Sequence, residues 1–224
     1  MNATRCALLL AGGKGLRMGA DVPKQFLPVA GKPLLMHTLE AFRAADAAIE
    51  LVLVLPVDHQ AYWRSLCAHY RFDVPHRIAD GGAVRFDSVR NGLALVEGDA
   101  LVAVHDGVRP LVSPELIQRC FAAAAEHGAI VPVREPVESL RRLEGAESCA
   151  VDRSLYRAVQ TPQTFRAELL RRAYAQPYRE TFTDDASVVE AAGYRISLIE
   201  GEVQNIKVTT PLDLLVAEQW LLKH

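Results

Sequence analysis

The sequence predicts a doubly wound α/β fold around a mostly parallel sheet, and three observations carry that reading. Short, predominantly apolar runs recur at Cys6 to Ala11, Leu51 to Leu55 and Leu101 to His105, as expected of strands covered by helices on both faces. Loops and segments of helical spacing separate these runs, in the alternation of a sheet wound from both sides. The 224 residues, 50% of them hydrophobic, can bury one sizeable core, so a single domain spanning residues 1–224 is expected.

Each element follows from local pattern. Cys6 to Ala11 (CALLLA) is the first strand, and a Gly-rich loop leaves its carboxyl end. Pro33 to Ala44 has helical spacing, with Leu34, Leu35, Thr38, Leu39 and Phe42 on one side. Leu51 to Leu55 (LVLVL) is the second strand, and Asp58 opens a helix carrying Tyr62, Leu66 and His69. After Ile78 the Asp80-Gly81-Gly82 turn leads to a helix over Val84 to Val96. Leu101 to His105 is a third buried strand, ending at Asp106. Ser113-Pro114-Glu115 starts a helix, with Ser as N-cap and Pro in the first helical position. That helix runs to about Glu126, Gly128 stops it, and Ile130 to Val133 is a further strand.

The stretch from 134 to 158 breaks the rhythm. Val137, Leu140 and Leu143 alternate with polar residues, Glu144-Gly145 turns the chain, and Cys149 to Val151 bring it back. This predicts a protruding β-arm. Such an arm buries little against its own domain, so it is expected to pack on a second subunit, in a homodimer. Helices from Arg166 and from Asp184, a strand from Arg195 to Ile199 and a last helix from Pro211 to Leu222 complete the chain.

Composition narrows the function. With 25 basic and 27 acidic residues the formal net charge is −2, so no global basic field attracts a nucleic acid polymer, and any anion site is built locally. Cys6, Cys67, Cys120 and Cys149 lie far apart, without C-x-x-C or metal-ligand spacing, and read as reduced thiols. The first apolar run is too short to span a membrane and leads into glycines and charges. A cytoplasmic protein with no membrane attachment is expected. His37, His59, His69, His76 and His127 fall on predicted helices or at their ends and need no function. The Tyr62-Trp63 pair reads as packing.

The segment Ala11-Gly12-Gly13-Lys14-Gly15-Leu16-Arg17-Met18-Gly19 leaves the first strand at its carboxyl end, where open α/β sheets bind ligands. Gly12, Gly13 and Gly15 let several backbone N–H groups approach one anion, and Lys14, Arg17 and Lys24 add positive charge around it. Phosphate is the natural ligand. The Walker pattern is absent, and Gly13, Gly15 and Gly19 miss the dinucleotide spacing by one residue.

With Pro23-Lys24-Gln25-Phe26 added, this segment resembles the signature of nucleotidyltransferases with the Rossmann-like nucleotide-diphospho-sugar transferase fold. The Pro-Lys-Gln form is that of the cytidylyltransferases acting on 2-C-methyl-D-erythritol 4-phosphate or, in close relatives, ribitol 5-phosphate. The resemblance continues in order through Asp80-Gly81-Gly82 with Arg85 and Ser88, His105-Asp106 with Arg109-Pro110, Val151-Asp152-Arg153, Gln160-Thr161-Pro162-Gln163, Thr183-Asp184-Asp185-Ala186-Ser187 and Asn205-Ile206-Lys207-Val208-Thr209. It implies in-line attack by a polyol phosphate on the α-phosphate of CTP, with pyrophosphate leaving. The attacking oxygen is already anionic, so such a site needs positioning and cations, not a general base. No G-x-S-x-G motif is present.

By resemblance, Arg17, Lys24 and Lys207 are the catalytic cations, the first two flanking the triphosphate. Ala11, Gly12, Gly13 and Gly15 cradle it, while Gly82 and Ser88 read the cytosine. Arg85 either orders that loop or is a solvated helix charge. Asp106 completes the CTP site and faces Mg²⁺ or the substrate hydroxyls, or it caps its strand end. The Mg²⁺ is expected to be held mainly by triphosphate oxygens. Arg109, Ser139, Arg153, Thr161, Thr183 and Thr209 would bind the polyol phosphate, Ser139 and Arg153 reaching from the arm into the neighbouring subunit's site. The sequence departs from the commoner family pattern at Ser139, Ala83, Gly107-Val108 and Gln204. A sugar-1-phosphate nucleotidyltransferase and a catalytically silent nucleotide-binding regulator are the competing readings.

Overall fold

The computed structural model describes residues 3–13 and 22–223. Lys14, Gly15 and Arg17 therefore lie outside the described residues. The chain opens on β1 (Thr4–Leu10). After a 3₁₀ turn at Lys24–Phe26, the short hairpin of β2 (Pro28–Val29) and β3 (Lys32–Pro33) leads into α1 (Leu34–Ala45). Next come β4 (Glu50–Leu55), α2 (Val57–Tyr70), β5 (Arg77–Asp80), α3 (Arg85–Leu93) and β6 (Ala100–Asp106). They are followed by α4 (Pro114–His127) and β7 (Ala129–Arg134). β8 (Arg141–Glu144) and β9 (Glu147–Ala150) form the arm. β10 (Ala158–Val159), β11 (Gln163–Arg166), α5 (Ala167–Tyr174), α6 (Asp185–Ala191), β12 (Ser197–Glu200) and α7 (Pro211–Leu221) finish the chain.

β1 runs parallel between β4 and β6, with Leu10 level with both Val54 and Asp106. β5 extends the sheet beyond β4, Leu55 facing Asp80. Each strand end is carried one hydrogen bond further by its loop: Ala11 N donates to Val54 O (3.0 Å), Gly81 N to Leu55 O (2.7 Å) and Gly107 N to Leu10 O (2.8 Å). The loops after β1, β5 and β6 are thus held together at the carboxyl ends of the parallel strands. On the far side of β6 lies β11, antiparallel, and then β7. Ile130 pairs with both Thr164 and Ser197, so β12 takes the opposite edge of β7 from β11.

Alternation along each strand divides the core. Ala7 and Leu9 pack with Leu35, Leu39, Phe42 and Phe121 of α1 and α4, whereas Cys6 and Leu8 pack with Phe86, Val89, Leu170 and Val189 of α3, α5 and α6. Each fully buried side chain of this size contributes about 1.5–3 kcal/mol. Helix ends follow their local signals. Ser113 Oγ accepts from Leu116 N (3.0 Å), and Gly128 ends α4 at φ +86°, a left-handed conformation suited to glycine. Asp184 caps α6 through Ser187 N at 2.8 Å.

The Tyr62-Trp63 pair packs as expected: Trp63 is fully buried, its indole N–H meets His76 Nε2 at 2.9 Å, and the half-exposed Tyr62 ring meets Phe26 edge-on. Other expectations needed correction. α3 ends at Leu93 rather than Val96, and the strand expected at Arg195 to Ile199 is shifted to Ser197–Glu200. β5 and β11 were not expected as strands. Both are short and carry polar residues, and β11 is recruited by ladders to β6 and β7, not by its own pattern.

The arm is a two-stranded sheet turning at Gly145 (φ +65°). Val137, Leu143 and Leu155 are about four-fifths exposed on this segment. Among the described residues no helix is long and apolar enough to cross a membrane.

Candidate active site

A cavity of about 370 Å³ opens where the loops after β1, β5 and β6 meet. The β1 loop supplies Ala11, Gly12 and Gly13, and the 3₁₀ turn supplies Lys24 and Gln25. Gln25 Nε2 donates to Ala11 O at 2.8 Å, tying these two segments together. The Lys24 stem is buried, and its ammonium donates to Val208 O at 2.9 Å. A methyl group on Gly13 would sit 4.0 Å from Lys24 Cε, so the loop backbone and this cation lie against each other.

The β5 loop and α3 supply Gly81, Gly82, Arg85 and Ser88. Gly82 N donates to Ser88 Oγ at 3.0 Å, and Asn91 Nδ2 to Asp80 O at 2.9 Å. A Cβ on Gly82 would lie 2.2 Å from Asp87 Cβ and 2.8 Å from its carbonyl carbon, so only glycine lets the loop close on the helix start. Arg85 is no solvated charge: it forms two hydrogen bonds, of 2.9 and 2.6 Å, with the fully buried Asp185 carboxylate of α6. Tyr174 donates to the same carboxylate at 2.6 Å. Burial opposes the Arg85 charge, but the attraction of Asp185 outweighs it and raises the guanidinium pKa.

Asp106 and Lys207 complete the lining. Asp106 Oδ2 lies 3.1 Å from Lys207 Nζ and 3.1 Å from Arg109 Nε. Burial alone would raise the Asp106 pKa, yet Lys207 and then Arg109 hold it well below the usual carboxylate range. Arg109 also donates to Asn205 O at 2.8 Å. Behind Asp106 the fully buried His105 has its pKa lowered to about 3, chiefly by burial. Among the described residues Asp106 is the one carboxylate lining the cavity, and no three His, Cys, Asp or Glu side chains cluster as metal ligands. Of the described residues, a cation there would find this one carboxylate and would otherwise rely on ligand oxygens.

The structure thus brings together Ala11, Gly12, Gly13, Lys24, Gly82, Ser88, Asp106 and Lys207, with Arg109 directly behind. Other expected residues sit elsewhere. Thr161 is buried, and its Oγ1 accepts from Asp106 N (3.1 Å) and meets His105 Nδ1 (2.9 Å). The Thr209 hydroxyl donates to Asp213 Oδ2 (3.0 Å) at the start of α7. Thr183 is exposed, its backbone N–H donating to Ser187 Oγ (3.1 Å). Ser139 and Arg153 are exposed near the hairpin, and Arg153 donates to Val137 O. Asp185 stood in the sequence only within the Thr183–Ser187 motif at a helix start, and its partners could not be read there because they are 11 and 100 positions away.

Comparison with known proteins agrees with this geometry. The family profile described as 2-C-methyl-D-erythritol 4-phosphate cytidylyltransferase (IspD) matches residues 5–223. The protein of that name from Bacteroides thetaiotaomicron is 56% identical over 214 residues, covering 96% of this chain and 98% of its own. The crystal structure of the Thermus thermophilus protein of that name matches with a TM-score of 0.78 at 35% identity, covering 98% of each chain. That of 4-diphosphocytidyl-2C-methyl-D-erythritol synthase from Anaerococcus prevotii matches with a TM-score of 0.82 at 26% identity, covering 98% of this chain and 99% of that one.

Proposed function

The chain belongs to the 2-C-methyl-D-erythritol 4-phosphate cytidylyltransferase family, and we infer that it transfers the cytidylyl group of CTP to that polyol phosphate in isoprenoid precursor synthesis, releasing pyrophosphate. The observation that carries the reading is the joining of three loops into one cavity, with Gly12, Gly13 and Lys24 on the β1 side, Gly82 and Ser88 on the β5 side, and Lys207 beside Asp106. A triphosphate needs the first group, a pyrimidine the second and an incoming phosphate the third.

In this reading Ala11, Gly12, Gly13 and Gly15 direct backbone N–H groups at the triphosphate, with Arg17 and Lys24 beside it. Lys24 is held in place through its ammonium bond to Val208 O, so the charge is preorganised. Lys207 stabilises charge building on the α-phosphoryl group, and Asp106 restrains that ammonium at 3.1 Å. Gly82 and Ser88 present backbone and hydroxyl groups to the cytosine edge, in a loop anchored by Arg85. Mg²⁺ would be held mainly by triphosphate oxygens and would neutralise phosphate charge, with Asp106 facing it or the substrate hydroxyls.

Arg109 binds the polyol phosphate; Thr183 and Thr209 lie outside the cavity lining and would reach the polyol only from its rim. Ser139 and Arg153 complete that half from a second subunit, since the arm leaves Val137, Leu143 and Leu155 exposed in the single chain. The whole chain acts as one catalytic domain with a dimerisation arm over residues 134–158. A cytoplasmic reaction is part of this reading, supported by its need for CTP and by four cysteines that stand as free thiols. The test is pyrophosphate release from CTP and Mg²⁺ with either polyol phosphate. Release with methylerythritol phosphate supports the substrate, release only with ribitol 5-phosphate overturns it, and CTP binding without release under either condition favours a silent regulator.

A further inference from the structure

His105 is fully buried at the end of β6, and both of its ring nitrogens are engaged. Nε2 faces Arg109 O at 3.3 Å, and Nδ1 faces Thr161 Oγ1 at 2.9 Å. A carbonyl oxygen only accepts, so Nε2 carries a proton. A second ring proton would place an imidazolium in a dry site, leaving Nδ1 as an acceptor. The Thr161 hydroxyl therefore donates to Nδ1, and a lone pair on its oxygen accepts from Asp106 N at 3.1 Å. All hydrogens in this chain of bonds point one way: Asp106 N–H to Thr161, Thr161 O–H to His105, His105 Nε2–H to Arg109 O.

The two ends of this chain lie on the turn that carries the site. Asp106 and Arg109 are joined by the Arg109 N to Asp106 O bond of 3.1 Å, and their side chains meet at 3.1 Å. Asn205 Nδ2 holds Thr161 O from behind at 2.8 Å, while Arg109 Nη1 holds Asn205 O at 2.8 Å. Thr161 thus lies in the wall behind the carboxylate rather than on the cavity surface, where sequence resemblance had placed it among the polyol contacts.

We propose that His105, acting through Thr161, is a positioning residue of the transfer reaction: as the Nε2–H tautomer it clamps the Asp106–Arg109 turn and so aims Asp106, Arg109 and Lys207 at the substrate. Neither side chain touches the polyol. The inference rests on the site assignment made above for the cytidylyl transfer.

The experiment combines kinetics with ¹⁵N NMR of the full-length protein. In the wild type, long-range ¹H–¹⁵N spectra of His105 should show the neutral Nε2–H tautomer; an Nδ1–H ring overturns the proposal without any variant. Thr161→Val keeps the shape and removes the hydroxyl. It should move the His105 Nδ1 resonance and lower kcat about tenfold, the worth of one buried hydrogen bond, with little change in the polyol KM. Thr161→Ser should restore most of the rate. Adding His105→Gln to Thr161→Val should cost less than the product of the single effects, as expected of residues in one network. A rise in polyol KM alone, with His105 unmoved, would mean that Thr161 contacts substrate and would sink the proposal. If the wild type fails to release pyrophosphate with either polyol phosphate, the site assignment fails instead, and the tautomer measurement remains interpretable.

Discussion

Arg85 and Asp185 stand 100 positions apart in the chain and meet through two hydrogen bonds, of 2.9 and 2.6 Å, with the carboxylate fully buried. This pair joins the start of α3, beside the β5 loop that lines the cavity, to the first turn of α6. An uncompensated buried charge is costly, and the two partners are unequal in that respect: a third of the Arg85 side chain reaches solvent, whereas none of Asp185 does.

Removing the arginine should therefore be the worse change. Arg85→Met is expected to destabilise the protein by about 3–5 kcal/mol, the usual cost of leaving a buried ion unpaired. Asp185→Asn should cost less, because Arg85 can turn to water. Urea unfolding of both variants checks the order, and equal stabilities would contradict it. Destabilisation of the β5 loop should also raise the CTP KM of Arg85→Met.

Lys24→Ala and Arg17→Ala are each expected to lower turnover by ~10²-fold or more, the scale for losing a preorganised charge contact at a phosphoryl centre. Pyrophosphate release under saturating CTP measures it. Lys24 also holds Val208 O, so thermal unfolding should accompany the kinetics. A stable Lys24→Ala variant with a near-normal rate would remove Lys24 from the mechanism.

The arm admits a complementation test. Lys24→Ala and Arg153→Ala chains should each be weakly active alone. If Arg153 serves the neighbouring site, a mixed dimer contains one site with Lys24 intact and a wild-type Arg153 arriving from its partner. Refolding the two variants together should then recover up to about a quarter of wild-type activity, by random pairing with one working site in each mixed dimer. No recovery on mixing would assign Arg153 to its own subunit.

Acid should weaken the start of α7. Burial pushes the Asp213 pKa up, but bonds from Thr209 and Thr210 outweigh it and leave it lowered; its Oδ2 accepts from both backbone N–H groups at 2.8 Å. A carboxylate whose pKa is depressed on folding stabilises above its unfolded pKa, and that stability is lost as pH falls through the folded value. Asp213→Asn should cost ~1 kcal/mol at pH 7, the typical worth of a cap. The gap from wild type should close below about pH 4, where the unfolded carboxyl protonates. Parallel urea titrations at pH 7 and pH 3 measure it, and a gap independent of pH would refute the charge account.

The α/β class, most helix limits and several of the residues that meet in the cavity were legible in the chain alone. Those features depend on neighbours in the chain: the apolar runs of β1, β4 and β6, the Ser113 and Asp184 caps, and a glycine cluster at a strand end. Gly82 and Asp106 sit in short motifs at strand ends, whereas Lys24, on the 3₁₀ turn, and Lys207, ahead of α7, were named through the family motifs that contain them. What crosses the sheet was settled only by long-range packing. β11 enters between β6 and β7 because both offer it backbone hydrogen bonds, which its polar sequence does not announce. Asp185 acquired its partner Arg85, and the Thr161 hydroxyl turned from an expected substrate contact to His105 and Asp106 N, 56 and 55 positions away. Such pairings follow from the order in which strands are laid side by side, and a buried polar group takes whichever partner that order brings within reach.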